Sequence, residues 1–377
     1  MSARPRILLT NFHTFRGGGH RIFLEAMAHS LVAERAELAF ATPEGSLLSQ
    51  TLKDAGKTVF DQSFPTKPRE GRAIPKAMAS LRRLVREWRP DIVHVNGGPD
   101  LAVLAWSHPW GRRFRVVRTH HSVKGIKRDP YHRWLYHRVA QANVYVSRQA
   151  MESSLAAGLE PGRVSVLANG VNLEKFAPRE PDAALRESLG LRPDHLVVGT
   201  CAGMGPYKRV DVMLEALRRL EPPERERIRV LLLGDERAYE GLVQRHVRPE
   251  IAANVVYGGF HLDVRPYVAL FDVGFLLSDR IETISYATRE MLAMGVPVLS
   301  STYGGLRENV REGETGWLVP PGEVTPVVAW LRALLRLDPE RRREMGRAAR
   351  ADAVARFDER AQFEGYWELY QSLLQRA

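Results

Sequence analysis

A single cysteine, Cys201, occurs in the 377 residues, which excludes a disulfide framework and any metal site built on cysteine alone. A reducing cytoplasm is therefore the expected setting. Nowhere do the roughly 18 consecutive apolar residues of a membrane-crossing helix occur. The opening MSARPRILLT lacks the apolar region of a secretory signal. No Asp-x-Asp is present, and with it goes a common carboxylate clamp for a divalent ion. The glycines near the N-terminus do not form Gly-x-Gly-x-x-Gly, and there is no internal repeat or low-complexity tract. Acidic residues are scarce in one half only. Residues 1–180 carry 15 Asp/Glu against 28 Lys/Arg, whereas the remainder carries 29 against 27. A cationic half of this kind could meet nucleic acid, an anionic membrane surface or a phosphorylated acceptor, and charge alone does not choose.

What is present reads as a globular α/β protein. Hydrophobic residues make up 44% and charged residues 26%, and the length exceeds what one core ordinarily fills. Short apolar strands are expected at 6–10, 38–41, 91–95, 116–119, 143–146 and 164–167. A second series follows at 197–200, 229–233, 255–257, 273–276 and 298–300. Helical runs near 21–31, 74–89, 130–141 and 210–220 fall between them. Alternation of this kind builds parallel sheets covered on both faces. A polar linker, Pro178-Arg179-Glu180-Pro181-Asp182, separates the two series. Two doubly wound domains are expected, with a ligand cleft at the carboxyl ends of their strands. The end is helical, at 324–337, 339–355 and 358–375. Its last helix carries Phe363, Trp367, Tyr370, Leu373 and Leu374, a stripe that needs a partner surface.

Chemistry concentrates in two places. The loop 11–20 contains Gly17-Gly18-Gly19 and leads from strand to helix, the order found in phosphate-cradling turns and equally in plain flexible ones. The stretch from Ser278 to Ser300 holds Glu282 in a turn and Glu290 eight residues later, inside an expected helix of about three turns. The amides of Thr283, Ile284 and Ser285 would open that helix, where anions are attracted. Helical rise would separate the two carboxylates by roughly 10 Å. A nucleotide sugar has hydroxyl-bearing rings at both ends and a diphosphate between, so one acid could take the sugar and the other the ribose. A solvated loop acid and an ordinary helix glutamate are the alternative.

Five stretches in order carry a resemblance. They are Gly17-Gly18 with its helix; Asp91 to Asn96 with Thr119-His120-His121-Ser122; Val146-Ser147 with Asn169-Gly170-Val171-Asn172 and Phe176; Pro206-Tyr207-Lys208-Arg209-Val210-Asp211; and Glu282-x7-Glu290 running on through Gly295-Val296-Pro297-Val298 to Gly304-Gly305 and Gly313-Glu314-Thr315-Gly316. Together they resemble the retaining GT-B glycosyltransferases, in particular glycosyltransferase family 4, over nearly the whole chain. The sequence departs from that pattern at three points. Ala202-Gly203-Met204-Gly205 stands where the family usually has an arginine, so either Arg209 substitutes or the site has one fewer cation. Thr283-Ile284-Ser285 replaces Gly-Phe-Gly, and Gly234-Asp235-Glu236 replaces Gly-Asp-Gly.

The resemblance implies a GT-B fold. An acceptor-binding Rossmann-like domain would occupy 1–178, a nucleotide-sugar-binding one 179–356, and a C-terminal helix at 357–377 would return to the first. It implies a retaining, metal-independent enzyme without a cofactor. Such an enzyme would move sugar from a nucleotide-sugar donor to a glycan or lipid-linked acceptor, in lipopolysaccharide or cell-surface polysaccharide biosynthesis. Glu282, His121 and Lys208 would be catalytic, with His120 the rival to His121. Gly17, Gly18, Gly19, Lys208, Arg209, Glu282, Thr283, Ile284, Ser285 and Glu290 would bind the donor. The alternatives are a nucleotide-sugar epimerase or phosphorylase on the same fold, or a polyanion-binding protein. No nucleic-acid module is recognisable, so nucleic acid is not an expected partner. The basic aromatic segment 124–138, with Lys127, Arg128, Arg133 and Trp134, suits acceptor contact or peripheral attachment to the inner face of the cytoplasmic membrane. Arg82, Arg83, Arg86 and Arg89 form a second basic stripe. In both, one face packed in the core and the other merely solvated is the competing reading.

Overall fold

The computed structural model describes residues 4–14, 18–67, 70–108, 113–123 and 125–375. These form two compact units, each built on its own parallel sheet. In the first, strands β1 (Arg6–Thr10), β2 (Glu37–Thr42), β3 (Thr58–Asp61), β4 (Ile92–Val95), β5 (Arg115–His120), β6 (Ala142–Tyr145) and β7 (Val164–Val166) are ordered β3-β2-β1-β4-β5-β6-β7. Ile7 on β1 pairs with Leu38 on one side and Ile92 on the other. The inner strands read as unbroken apolar runs because helices cover both faces. Leu8, Val93 and Val95 pack under Leu81, Leu84, Trp88 and Leu104. Ile7, Leu9 and Val117 pack under Phe23, Leu24 and Met27.

That second face is completed by the helix Glu359–Gln375, whose Phe363, Tyr366, Tyr370 and Leu373 supply the buried side of the stripe. Each such side chain contributes about 2 kcal/mol by burial alone. The tyrosine hydroxyls also need partners inside a dry core. Tyr370 meets His94 Nδ1 at 2.6 Å, His94 Nε2 meets Thr119 Oγ1 at 2.7 Å, and Thr119 meets Tyr366 at 3.0 Å. Burial holds the His94 imidazole neutral, its pKa lowered to about 3. Thr119 therefore serves the core.

In the second unit, β8 (Leu196–Thr200), β9 (Ile228–Leu233), β10 (Val255–Gly259), β11 (Val273–Leu276), β12 (Val298–Ser301) and β13 (Gly316–Val319) are ordered β10-β9-β8-β11-β12-β13. The units divide at Asn169/Gly170 and Glu359/Arg360, ahead of the polar linker at 178–182 and just beyond residue 356. Backbone bonds account for the position. Val171 donates to Phe357 O at 2.7 Å, Glu359 donates back to Val171 O at 3.2 Å, and Asn172 Nδ2 donates to Glu359 Oε1 at 2.6 Å. A Cβ on Gly170 would lie 2.3 Å from the Glu359 Cα. The Asn-Gly-Val-Asn motif is thus the place where two chain segments lie side by side.

Candidate functional site

In a doubly wound sheet the crevice opens where consecutive connections run to opposite sides. For the second unit that point lies between β8 and β11, and the two loops leaving their carboxyl ends meet there. The Asp279 amide donates to Tyr207 O at 3.2 Å, joining the loops through backbone. Lys208, from the β8 side, forms an ion pair with Glu282, from the β11 side, and their side chains are only 11% and 13% exposed. Ser278 Oγ donates to the same Glu282 oxygen at 3.4 Å. The Lys208 ammonium also sits 5.1 Å from the centre of the Tyr207 ring.

Arg209 behaves differently from its neighbour. Its guanidinium holds Asp211 through both Nε and Nη2 and reaches Asp279 at 2.6 Å. The hydrogen bonds it donates to Asp211, then to Asp279, raise its pKa further. Two carboxylates already balance this cation. Its backbone is left-handed, with φ of 53°. Of the four described non-glycine residues with positive φ, three are Arg209, Ile281 (66°) and Ser285 (50°), all on these two loops. Such conformations are costly for side-chain-bearing residues, most of all a β-branched one, and persist where the surroundings enforce them. Ile281 is also 69% exposed.

The helix after Glu282 opens at Tyr286 and ends at Ala293, about two turns rather than three. Ser285 caps it, accepting from the Thr288 amide at 3.3 Å, so Thr283, Ile284 and Ser285 lie in the turn before the helix and not in its first turn. Only four helical steps then separate Tyr286 from Glu290, and the rise-based spacing of the two acids does not apply. The turn is fixed from beneath. Fully buried Asn309 donates to Ile284 O at 2.5 Å and accepts from Arg289 Nε at 2.8 Å. Arg289 lies against the Phe357 ring, and burial lowers its pKa to about 9. Glu290 is a different kind of acid. Its carboxylate has no hydrogen-bond partner among the described residues, and burial raises its pKa to about 7 against the opposing pull of Lys175. The neighbouring Cys201 thiol is also raised, first by burial and then by the Glu290 charge, which makes it a poor nucleophile.

In the first unit the switch point lies between β1 and β4. Gly17 lies outside the described residues. Gly18 has φ of 118°, which a side chain would resist, and precedes the helix Gly19–Ala28. Asp100, on the helix Gly98–Ser107 and fully buried, accepts from Thr10 Oγ1 at 2.5 Å and from the Asn96 amide at 2.9 Å. Asn96 in turn meets His121 Nε2 at 3.1 Å. The rings of His13, His20 and His121 follow one another at 4.4 and 4.3 Å. Burial, then the proximity of the His20, His94 and His120 rings and of the Arg118 charge, lowers the His121 pKa well below its usual value. A neutral imidazole is the form present at pH 7. His120 is a core residue, stacked on Tyr145 at 4.3 Å and bonded to Asn143. Asp100, His13 and His20 were not legible as site residues, because only the adjacency of β1 and β4 brings them together.

The basic aromatic segment folds as a helix, Pro130–Trp134, that widens into a π-helical turn, Leu135–Val139. Leu135 is buried and Trp134 packs against the same core, so the apolar side faces inward. Lys127, Arg128 and Arg133 are exposed, and Tyr131 is the aromatic left at the surface, 38% exposed. Arg82, Arg83, Arg86 and Arg89 are exposed as well. Among the described residues no helix is long and apolar enough to cross a membrane, and no group of three His, Cys, Asp or Glu could hold a metal ion.

Comparison with known proteins adds the following. Residues 17–175 match the family Glycosyltransferase Family 4, and residues 192–337 match Glycosyl transferases group 1. A D-inositol 3-phosphate glycosyltransferase of Kribbella flavida is 30% identical over 204 residues, 51% of this chain. That match spans about half, 47%, of the relative's own length. The putative glycosyltransferase EpsD of Bacillus subtilis is 26% identical over 333 residues, 83% of this chain and 86% of EpsD. Among solved structures, HepE of Anabaena in complex with UDP superposes with a TM-score of 0.82 at 21% identity, covering 97% of this chain and 100% of HepE. HepE has also been solved with UDP-glucose.

Proposed function

The chain belongs to the glycosyl transferases group 1, glycosyltransferase family 4, and from that premise we propose that it moves a sugar from a nucleotide-sugar donor to a glycan or lipid-linked acceptor. The reading rests on one observation above the others. A nearly buried Lys208–Glu282 pair meets at the switch point of the second unit's sheet, on loops whose backbone is held in strained conformations. Departure of a nucleoside diphosphate builds negative charge on phosphate while the sugar carbon becomes cationic. Lys208 takes the phosphate charge, and the carboxylate beside it supports the sugar. Glu290 accepts hydrogen bonds from the ribose hydroxyls. Arg209, already balanced by Asp211 and Asp279, holds the loop on which Lys208 stands. Neutral His121 offers a hydrogen bond to a sugar or phosphate oxygen without adding charge. The transfer proceeds with retention and without a metal, the departing phosphate taking the acceptor's proton on the same face. That HepE is solved with UDP and UDP-glucose supports a uridine donor as the first to test, and lipopolysaccharide or surface polysaccharide assembly is the setting we propose.

Thermal-shift titration with UDP-, GDP-, ADP- and CMP-sugars, followed by product analysis with and without acceptor, tests this reading. Stabilisation by one nucleotide class and acceptor-dependent product are expected. Isomerised or phosphorolysed donor without acceptor would move the chain to the epimerase or phosphorylase alternative.

Lys127, Arg128 and Arg133 we assign to an anionic membrane surface carrying the acceptor. Each basic side chain near such a surface adds about 1 kcal/mol. Replacing the three by glutamine should weaken sedimentation with vesicles of 30% phosphatidylserine by roughly two orders of magnitude. Equal binding of both proteins would remove the assignment.

A further inference from the structure

Arg118, on β5, is a buried cation, 8% exposed. Its Nη1 donates to Gly97 O at 2.5 Å and its guanidinium lies 5.2 Å from the centre of the Tyr136 ring; among the described residues it makes no ion pair. Nε is fully enclosed and unbonded, whereas Nη2, also unbonded, keeps accessible surface. A guanidinium withdrawn from water and left without a counter-charge is unfavourable. Its surroundings do not supply one. Burial first, with the Arg118 charge among the later contributions, lowers the pKa of His20, His120 and His121, so all three rings are neutral at pH 7. The buried Asp100 carboxylate is engaged elsewhere, accepting from Thr10 Oγ1 and from the Asn96 and Leu101 amides.

The open nitrogen sits at a helix end. Nη2 lies 4.0 Å from the position a Cβ would take on Gly98, the first residue of the helix Gly98–Ser107. Covalent geometry then keeps the Gly98 amide within about 6.5 Å of Nη2, a span that two oxygens of one phosphate bridge with ordinary hydrogen bonds. Gly98 is exposed, and its amide has no hydrogen-bond partner among the described residues. Lacking a side chain, it lets an anion come close to the backbone. The first amides of a helix attract phosphate, and a guanidinium beside them adds a charged donor.

We propose that a phosphate group binds between Arg118 and the opening of the helix Gly98–Ser107, accepting from Nη2 and from the Gly98 amide, and supplies the counter-charge of the buried arginine. Both donors belong to the first unit, toward the carboxyl ends of β4 and β5, and neither is among the donor-binding residues assigned above. In the proposed transfer the group is the phosphate of the acceptor. That identification rests on the glycosyltransfer reading; the phosphate site itself does not.

The full chain, labelled with ¹⁵N-arginine, is titrated with sodium phosphate at pH 7.5 against sodium chloride of equal ionic strength, and unfolding midpoints are measured in the same buffers. The Nε–H resonance missing from Arg118→Gln should shift with phosphate at an apparent Kd of about 1 mM or tighter, in the parent and in Lys208→Met alike. Phosphate should also raise the unfolding midpoints of both above their chloride values. Gly98→Asp tests the site without disturbing the core. Its carboxylate, on a Cβ 4.0 Å from Nη2, supplies the counter-charge covalently. Its midpoint in chloride should therefore exceed the parent's, and its phosphate affinity should fall by at least about tenfold. An Arg118 resonance that phosphate leaves unmoved, a response lost in Lys208→Met, or Gly98→Asp responding as the parent does overturns the proposal. These measurements use no nucleotide sugar, so the transfer reading stands or falls separately.

Discussion

Glu290→Gln is expected to make the protein more stable at pH 8 while weakening its hold on nucleotide. Burial raises this carboxyl from an ordinary 4.5 to about 7. The unfolded chain therefore releases its proton near pH 4.5, whereas the folded chain keeps it until about pH 7. Between those values the folded state binds more protons, so stability falls as pH rises through the window and stays lower above it. The full difference corresponds to about 3 kcal/mol. Glutamine has no charge to desolvate, and the variant should recover most of that cost at pH 8, less whatever its buried amide leaves unbonded. At pH 4 the two proteins should unfold at nearly equal urea concentrations. A parent carboxylate that accepts two ribose hydroxyls would nonetheless lose about 10- to 100-fold in nucleotide affinity on this exchange. Opposite signs for stability and binding are what a site gives when its geometry is set by a ligand. Equal unfolding midpoints at pH 8 would mean that the carboxylate is solvated, and unchanged affinity would end its ribose role.

The parts of this picture that could be read from the chain are those fixed by neighbours in sequence. Strands β1 and β11 have the expected limits because Ile7, Leu8 and Leu9 stand between Arg6 and Thr10, and Val273 to Leu276 begin directly after Asp272. Strand β3 escaped because Val59 and Phe60, half-buried at the edge of a sheet, make too short a run to signal one. The helix Gly98–Ser107 opens on Gly-Pro, a turn signature, and covers the sheet with apolar residues all round, so no amphipathic period marks it. Glu282 and Glu290 stood out by their spacing and Lys208 through the resemblance, but the ion pairs around them did not. That Lys208 spends its charge on Glu282, and Arg209 part of its own on Asp279, depends on strands about seventy residues apart becoming neighbours. The same holds for His120 and His121. They are adjacent in sequence, yet β5 ends at His120, leaving one ring in the core against Tyr145 and the other on Asn96.

Lys208→Met should reduce turnover by about 10²- to 10³-fold, the range for removing one preorganised stabiliser of developing charge. The methylene stem is retained, so packing on Tyr207 survives while the ammonium goes. A stability cost comes with it. The Glu282 carboxylate, 13% exposed, would keep only the 3.4 Å bond from Ser278, and removing one partner of a buried pair is destabilising by about 3–5 kcal/mol. Loss of activity could then follow from a damaged loop and not from lost charge. The double variant Lys208→Met/Glu282→Gln separates the two. With both charges gone nothing is left uncompensated, and the unfolding midpoint should return close to that of the parent. Turnover should stay at least as low as in the single variant, because neither the phosphate nor the sugar charge is then met. Lys208→Arg, which keeps the charge on a wider head, should regain part of the rate. If the double variant recovered activity along with stability, the pair would be a structural tie and the transfer chemistry would have to lie elsewhere.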